Sequence, residues 1–296
     1  MTKTESQISA PRVALIGFGE AGESFARAGA WHGHARGWDV LEARRLAMAE
    51  CGVEAGGDAA AALAGSDCVL SLVTADAALA AARDYAALPP EGALFLDMNS
   101  VAPRTKRAAA EAVEAVGGAY VDVAVMAPVD KGLAVPLLLA GAQAEAAQQM
   151  LTALGFTNVR VVGEEVGRAS AIKLCRSVMV KGLEALTAEM VLAASAAGVL
   201  DEVLASLDAS EKPQSWAERG EYNLDRMLVH GQRRAAEMAE ASAMLRDLRI
   251  APLMSEQTTQ RQQALGQLQL APPPATLSAK LAAIRANPDF KERPDR

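Results

Sequence analysis

Three glycines near the amino end, Gly17, Gly19 and Gly22, form G-x-G-x-x-G directly after the apolar run Val13-Ala-Leu-Ile16. At a strand-to-helix turn each has its own task. Gly17 makes the tight turn, Gly19 lets backbone approach a pyrophosphate, and Gly22 lets helix pack on strand. Phe18, Glu20 and Ala21 complete the loop and open a helix whose free N–H groups and partial positive charge suit phosphate oxygens. About twenty residues further on, Asp39 closes the short segment Ala35-Arg-Gly-Trp-Asp39. A carboxylate there can accept both ribose hydroxyls of an adenosine and repels a 2′-phosphate, which favours NAD over NADP. Arg44 and Arg45, just downstream, keep NADP possible.

A second group of polar residues sits on the stretch from Gly167 to Gly198. It contains no proline, is dense in Ala, Leu, Met and Glu, and ends at a glycine suited to a helix C′ position. As one helix it would run roughly 45 Å at about 1.5 Å per residue. Lys173, Arg176, Ser177, Glu184 and Thr187 then share one stripe, while Leu174, Cys175, Met179, Leu183, Leu186 and Met190 lie around the rest. Such a seam is available to a cleft between domains; a solvated face is the other reading of the same pattern.

The elements that must position these residues alternate. After the glycine loop come a helix at Ala59–Gly65, a strand at Asp67–Thr74 and a helix at Ala75–Ala87. A strand at Ala93–Asp97, a helix at Pro103–Val116 and a strand at Tyr120–Val125 follow. Val135–Ala140 and Val159–Val162 read as further strands around a helix at Ala142–Leu154. This alternation implies a Rossmann-type, doubly wound parallel sheet over residues 1–166, with ligands at the carboxyl ends of its strands. Those ends carry the glycine loop, Leu72-Val73-Thr74, Asn99-Ser100 and Val125-Met126. The long helix then leads from one domain to the next. An all-α C-terminal domain is expected over 167–296, with helices at Leu200–Leu207, Leu224–Leu248 and Pro252–Leu268. The polar start MTKTESQISA reads as a flexible lead-in, and the tail from Pro272 to Arg296 as poorly ordered or loosely docked.

Composition narrows the partners. With 51% hydrophobic, 22% charged and only 4% aromatic residues, the chain must build its core from Ala, Val and Leu. A net charge of −7 argues against nucleic acid or an anionic membrane surface. No apolar run is long enough to span a bilayer. Cys51, Cys68 and Cys175 have no metal-ligand spacing and suit a reducing cytoplasm, so no metal is expected.

Four places together resemble the β-hydroxyacid dehydrogenase superfamily, which includes 6-phosphogluconate and 3-hydroxyisobutyrate dehydrogenases. They are Gly17-Phe-Gly-Glu-Ala-Gly22, Leu96-Asp-Met-Asn-Ser-Val-Ala-Pro103, Tyr120-Val-Asp-Val-Ala-Val-Met126 and Gly167-Arg-Ala-Ser-Ala-Ile-Lys173. Order and spacing agree from about residue 12 to residue 198, and the details are similar to an outlying bacterial branch with an uncharacterised C-terminal domain. The resemblance implies an NAD(P)-dependent oxidoreductase acting on a small, anionic hydroxy or keto compound. Lys173 would be the catalytic base. Leu72, Val73, Thr74 and Asn99 would border the cofactor, and Ser100, Val125 and Met126 the substrate. Ser177 stands where the family has asparagine, and Arg176 is suited to a carboxylate or phosphate. In the family a C-terminal lysine reaches the site, often of a partner subunit. Arg233 or Arg234 falls near that position, with His230 a possible proton donor, and a homodimer is expected. Two alternatives stand beside this reading: an imine reductase, although such enzymes generally lack the lysine, and a non-catalytic dinucleotide sensor.

Overall fold

The computed structural model describes residues 10–290, apart from Glu91, Glu211, Lys212 and Gln214. The first nine residues of the lead-in and the last six residues of the chain lie outside that set. The chain divides into two compact units, one reaching Val178 and the other beginning at Met179.

Eight strands build the first unit: β1 Val13–Ile16, β2 Ala35–Trp38, β3 Glu54–Ala55, β4 Cys68–Ser71, β5 Leu94–Asp97, β6 Ala119–Val125, β7 Leu137–Ala140 and β8 Val159–Gly163. They form one sheet in the order β3-β2-β1-β4-β5-β6-β7-β8. Its first six strands follow the doubly wound dinucleotide-binding order, which reverses between β1 and β4. The helices in this unit are α1 Glu20–Gly29, α2 Glu42–Met48, α3 Ala59–Leu63, α4 Ala78–Tyr85, α5 Pro103–Glu114 and α6 Ala144–Ala153. The central strands are largely apolar on both sides because helices cover both faces. One face packs Leu15, Leu70, Leu96 and Val123 with Phe25 of α1 and Leu151 of α6. The other packs Ile16, Val69 and Phe95 with Leu63, Ala82 and Ala109 of α3, α4 and α5.

The all-parallel expectation needs one correction. β7 runs antiparallel to β6, and β8 is parallel to β7, so the last two strands are reversed relative to the rest. The connection from Val125 to Leu137 is too short for a helical crossover, which needs a dozen residues or more. It instead forms a short 3-10 segment, Val129–Ala134, tied to α1 by Ser24 Oγ donating to Val129 O.

Polar groups break the apolar pattern at one rung of the sheet. The register aligns Ser71, Asp97 and Asp122 on adjacent strands. Lys106, one turn into α5 and fully buried, lies 2.9 Å from Asp97 Oδ1 and 3.5 Å from Asp122 Oδ1. Tyr120 donates its hydroxyl to Asp97 Oδ2 at 2.6 Å. Burial first, and then the neighbouring carboxylate charges, push the Tyr120 phenol well above its ordinary range, so it remains a donor. Asp122 accepts from Gly167 N and Ser170 N, both at 3.0 Å, and from Ser170 Oγ at 2.6 Å. It thereby caps the first turn of α7, Arg168–Ala197.

The α7 helix is continuous across the boundary between the two units. The second unit adds α8 Leu200–Ser210, α9 Trp216–Asp247, α10 Leu253–Gly266 and α11 Leu277–Ala286. Ser215 starts α9 with a reciprocal capping box to Glu218. Glu189 of α7 caps α10, accepting from Met254 N at 2.8 Å and Ser255 N at 3.0 Å. Burial opposes its charge, but the hydrogen bonds from Ser255 and Met254 outweigh it and hold the carboxyl below the usual range. The tail is better built than expected. Within it α11 docks on α9 through buried Lys280, 3.2 Å from Asp225 and 3.4 Å from Glu221, while Ile284 joins Leu228, Leu265 and Leu268. Among the described residues no helix is long and apolar enough to cross a membrane.

Lys106 makes the fold testable. Lys106→Met keeps the apolar stem but strands two buried carboxylates. It should destabilise the protein by about 3–5 kcal/mol, read from denaturant unfolding of the full chain. A loss below about 1 kcal/mol would show that the charges do not depend on one another.

Candidate functional site

The carboxyl edge of β1, β2 and β4 opens into a cavity of about 790 Å³ at the point where strand order reverses. Gly17, Gly19, Glu20 and Ala21 line it from the loop, Asp39 from the end of β2, and Leu72, Val73 and Thr74 from the end of β4. Eight of the sequence-derived positions thus share one wall. Gly17 has φ +86, and a Cβ there would sit 2.6 Å from Leu72 O, so only glycine fits the turn. A Cβ on Gly19 would meet nothing within 4 Å, so that backbone faces open space. A Cβ on Gly22 would lie 2.9 Å from Gly17 O, which makes it the packing glycine. Gly19 precedes α1 with no side-chain cap, leaving first-turn N–H groups for a ligand. This open, uncapped turn fits a pyrophosphate.

Phe18 does not line the cavity. Its ring is buried in the core, and its N–H donates to Asp39 Oδ2 at 2.7 Å. Asp39 Oδ1 accepts from Leu41 N at 2.8 Å. The carboxylate therefore braces the glycine loop from the β2 side, and each oxygen keeps lone pairs for another donor. The two arginines behind it differ. Arg45 donates to Asp39 O at 2.6 Å and to Val40 O at 3.1 Å, with its guanidinium carbon 4.8 Å from the Trp38 ring centre. Arg44 lines the cavity and lies 3.9 Å from Glu23.

Sequence reasoning missed the apolar part of this wall. Val40 and Leu41 are 75% and 60% exposed at its rim, and Ala77, just before α4, and Ala81 and Tyr85 of α4 line it as well. Two exposed aliphatic residues straight after the acidic one were the available signal.

A second cluster forms at the ends of β5 and β6. Asn99 donates from N to Asp97 Oδ1 at 2.9 Å, and from Nδ2 to Ser71 Oγ at 3.0 Å. Its Oδ1 is buried without a hydrogen-bond partner. Lys173, half-buried on α7, donates from Nζ to Ser100 Oγ. Two residues chosen for one chemistry, 73 positions apart, are thus in direct contact. Val125 is buried at the end of β6, and half-buried Met126 packs with Ala169 and Leu138. Of the polar seam, Ser177 is half-buried and Arg176 exposed; the side chains of Glu184 and Thr187 lie outside the described residues. Sequence reasoning also missed Lys106 beneath this cluster. Its signal was a pair of aspartates, Asp97 and Asp122, inside apolar strands, where each requires a buried partner.

The helical unit holds the other three candidates, and it separates them. Exposed His230 and Arg233 line a concavity of about 570 Å³ with Gln269 and Ala271. Half-buried Arg234 lines a different one of about 330 Å³.

Strand order, glycine turn and cavity define a dinucleotide-binding α/β protein. Residues 12–163 match the NAD-binding domain of 6-phosphogluconate dehydrogenase, and the chain belongs to that family, an NAD(P)-binding oxidoreductase class. Residues 194–265 match a domain of unknown function, DUF1932. A conserved hypothetical protein of Sinorhizobium meliloti 1021 is 33% identical, with 96% of this chain and 98% of that one covered at a TM-score of 0.59. A conserved protein of unknown function, described as structurally similar to 3-hydroxyacid dehydrogenases, is 30% identical over 87% of this chain and 98% of its own, at 0.57. An imine reductase from Myxococcus stipitatus, in complex with NADP+, shares the fold at a TM-score of 0.72 and 20% identity, covering 92% and 99%.

Proposed function

We propose that the protein is an NAD(P)-dependent dehydrogenase acting on the CH–OH group of a small anionic hydroxy compound, with Lys173 as its proton-transfer residue. The observation that carries this reading is the contact of Lys173 Nζ with Ser100 Oγ at the carboxyl edge of a dinucleotide-binding sheet. Bound nicotinamide supplies the hydride acceptor. The residues of this chain must hold the substrate oxygen and move its proton. Ser100 Oγ hydrogen-bonds that oxygen, and neutral Lys173 takes the hydroxyl proton; in the reverse direction the ammonium returns it. The glycine loop and the start of α1 hold the pyrophosphate, and Asp39 the adenosine ribose. Val40, Leu41 and α4 give the adenine an apolar surface. Asn99 Oδ1, buried and lacking a donor, supports a role for Asn99 beside the nicotinamide. Val125 and Met126 form the apolar border of the substrate, with Ser177 and Arg176 next to Lys173 as orienting and anion-binding groups. We assign His230 and Arg233, and residues 167–296 generally, to substrate binding and subunit pairing. The three free cysteines suit a cytoplasmic setting.

A second copy of the chain is the proposed cover for the apolar side of α7 and α8. Met179, Leu183 and Leu186 are each 44–46% exposed, Leu207 is 51% exposed, and α8 buries none of its residues. Light scattering should give twice the 30.8 kDa chain mass at micromolar concentration, and a monomer would remove the pairing role.

Cofactor choice follows from the Asp39 and Arg44 geometry. Asp39→Ala should weaken NADH binding by about 1–3 kcal/mol, since it removes both the ribose acceptor and the brace on the loop. Arg44→Ala should reduce NADPH affinity more than NADH affinity in fluorescence titrations. Equal effects on both cofactors would take Arg44 out of the choice.

The reaction is tested by following NADH and NADPH absorbance against hydroxy acids, keto acids and cyclic imines. On the substrate so found, Lys173→Met should lower turnover by at least about 10²-fold while leaving NADH affinity unchanged. Lys173→Arg should fail nearly as badly, because a guanidinium stays protonated. Near wild-type turnover in both variants would exclude Lys173 from proton transfer, and turnover confined to imines would exclude the CH–OH reaction.

A further inference from the structure

Asp84 lines the dinucleotide cavity from the last turn of α4. It is exposed and, among the described residues, has no hydrogen-bond or ion-pair partner. A helix end of this kind does not favour an acid, because its unpaired carbonyls already carry partial negative charge. The surroundings of Asp84 are apolar and small. Ala77, Ala80, Ala81 and Asp84 follow the spacing i, i+3, i+4 and i+7, so they share one face of α4 and the residue before it. Three alanines thus make a low, even floor with one carboxylate at its end. Val40 and Leu41 bring a second apolar wall, since β2 and β4 flank β1 and their following residues reach the cavity from either side of it. Asp39 lies directly before Val40, which puts the ribose acceptor next to this slot.

A purine base attached to that ribose would have its faces against aliphatic carbon and an edge toward Asp84. A carboxylate accepts hydrogen bonds and cannot donate them. The six-amino group of adenine is a donor, whereas guanine and hypoxanthine carry a carbonyl oxygen at the same place. That oxygen would meet Asp84 acceptor to acceptor. We propose that Asp84 accepts a hydrogen bond from the six-amino group of adenine and makes the protein select adenine dinucleotides over their six-oxo counterparts. Tyr85, beside it on the cavity wall, cannot make this choice, because a phenol both donates and accepts. The inference rests on the dinucleotide reading of the cavity and adds the base to it. It does not depend on Lys173 or on what the enzyme oxidises.

NADH and deamino-NADH are a matched pair of probes, differing only in the base, six-amino in one and six-oxo in the other. Fluorescence titration of the full chain should show NADH binding at least about fivefold more tightly, a modest factor because water competes at an exposed carboxylate. Asp84→Ala should weaken NADH by about that factor and bring the two probes to equal affinity. Asp84→Asn should bind deamino-NADH at least as tightly as NADH, because the amide can turn its N–H toward the carbonyl. Tyr85→Phe should keep the wild-type preference. Thermal melting checks that each variant is folded. Equal binding of the two probes by the wild-type protein, or a preference that survives both Asp84 variants, would overturn the proposal. If NADPH binds more tightly than NADH, the same comparison runs with NADPH and deamino-NADPH, whose bases are the same pair. Failure to bind any of the four would sink the dinucleotide reading itself, whereas tight binding without discrimination removes only the role of Asp84.

Discussion

Two carboxylates and one ammonium meet without solvent at the level of Asp97, Lys106 and Asp122, and the site depends on that meeting. Burying three charges is expensive unless every one is paired and hydrogen-bonded. Here the sheet register does the pairing, because it aligns Ser71, Asp97 and Asp122 on one rung, facing α5. Lys106 enters between the two aspartates, while Tyr120 and the Ser170 hydroxyl take remaining lone pairs. Asp97 also accepts from Asn99 N, which shapes the turn leading to Ser100. Asp122 holds Ser170 N, and Lys173 lies three residues further along the same helix. The contact between Ser100 and Lys173 is thus downstream of the buried triad. Loss of the ammonium would loosen both partners together.

Carboxylates from distant elements recur as helix starts. The α7 helix follows Gly167, which has no side chain to cap with, and Asp122 supplies the missing acceptor. Pro252 at the start of α10 offers none either, and Glu189 of α7 supplies it. These caps join elements that are far apart in sequence, so they hold tertiary structure as well as helix ends. The start of α1 contrasts with them. Gly19 brings no side chain, and Asp39 stops at Phe18 N, one residue short of it. First-turn N–H groups facing a cavity can serve a ligand only if no side chain of the protein claims them.

The parts legible in the sequence are those with local causes. The glycine spacing, the acidic residue after β2 and the alternation of apolar runs with helices are each set within about thirty residues. They locate the cavity and the polar and glycine part of its lining, but not the apolar part. What escaped was non-local. The reversal of β7 depends on a connection too short for a crossover, which becomes visible only once β6 and β7 are known to be neighbours. The α11 tail contains a proline cluster and charged residues, and it docks because Lys280 finds Glu221 and Asp225 on another helix. Lys106 reads as an ordinary helix lysine until Asp97 and Asp122 are brought to either side of it. The pattern of Gly231 and Gly266, each ordinary in isolation, becomes a close helix crossing only in the fold.

Adjacent arginines show the same limit at single-residue scale. Arg44 and Arg45 are one reading in sequence, and so are Arg233 and Arg234, yet successive helix residues point about 100° apart. That angle gives the members of each pair different surroundings. Arg45 is committed to the Asp39 and Val40 carbonyls and the Trp38 ring, while Arg44 stands at the cavity. Arg233 lines one concavity with His230, and Arg234 a different one with Gln262. Moving a charge by a single position would therefore exchange an arginine held by backbone carbonyls for one that lines the cavity. Net charge and motif spacing would hardly change. Helical phase, fixed by packing, therefore decides which of two adjacent arginines faces a concavity.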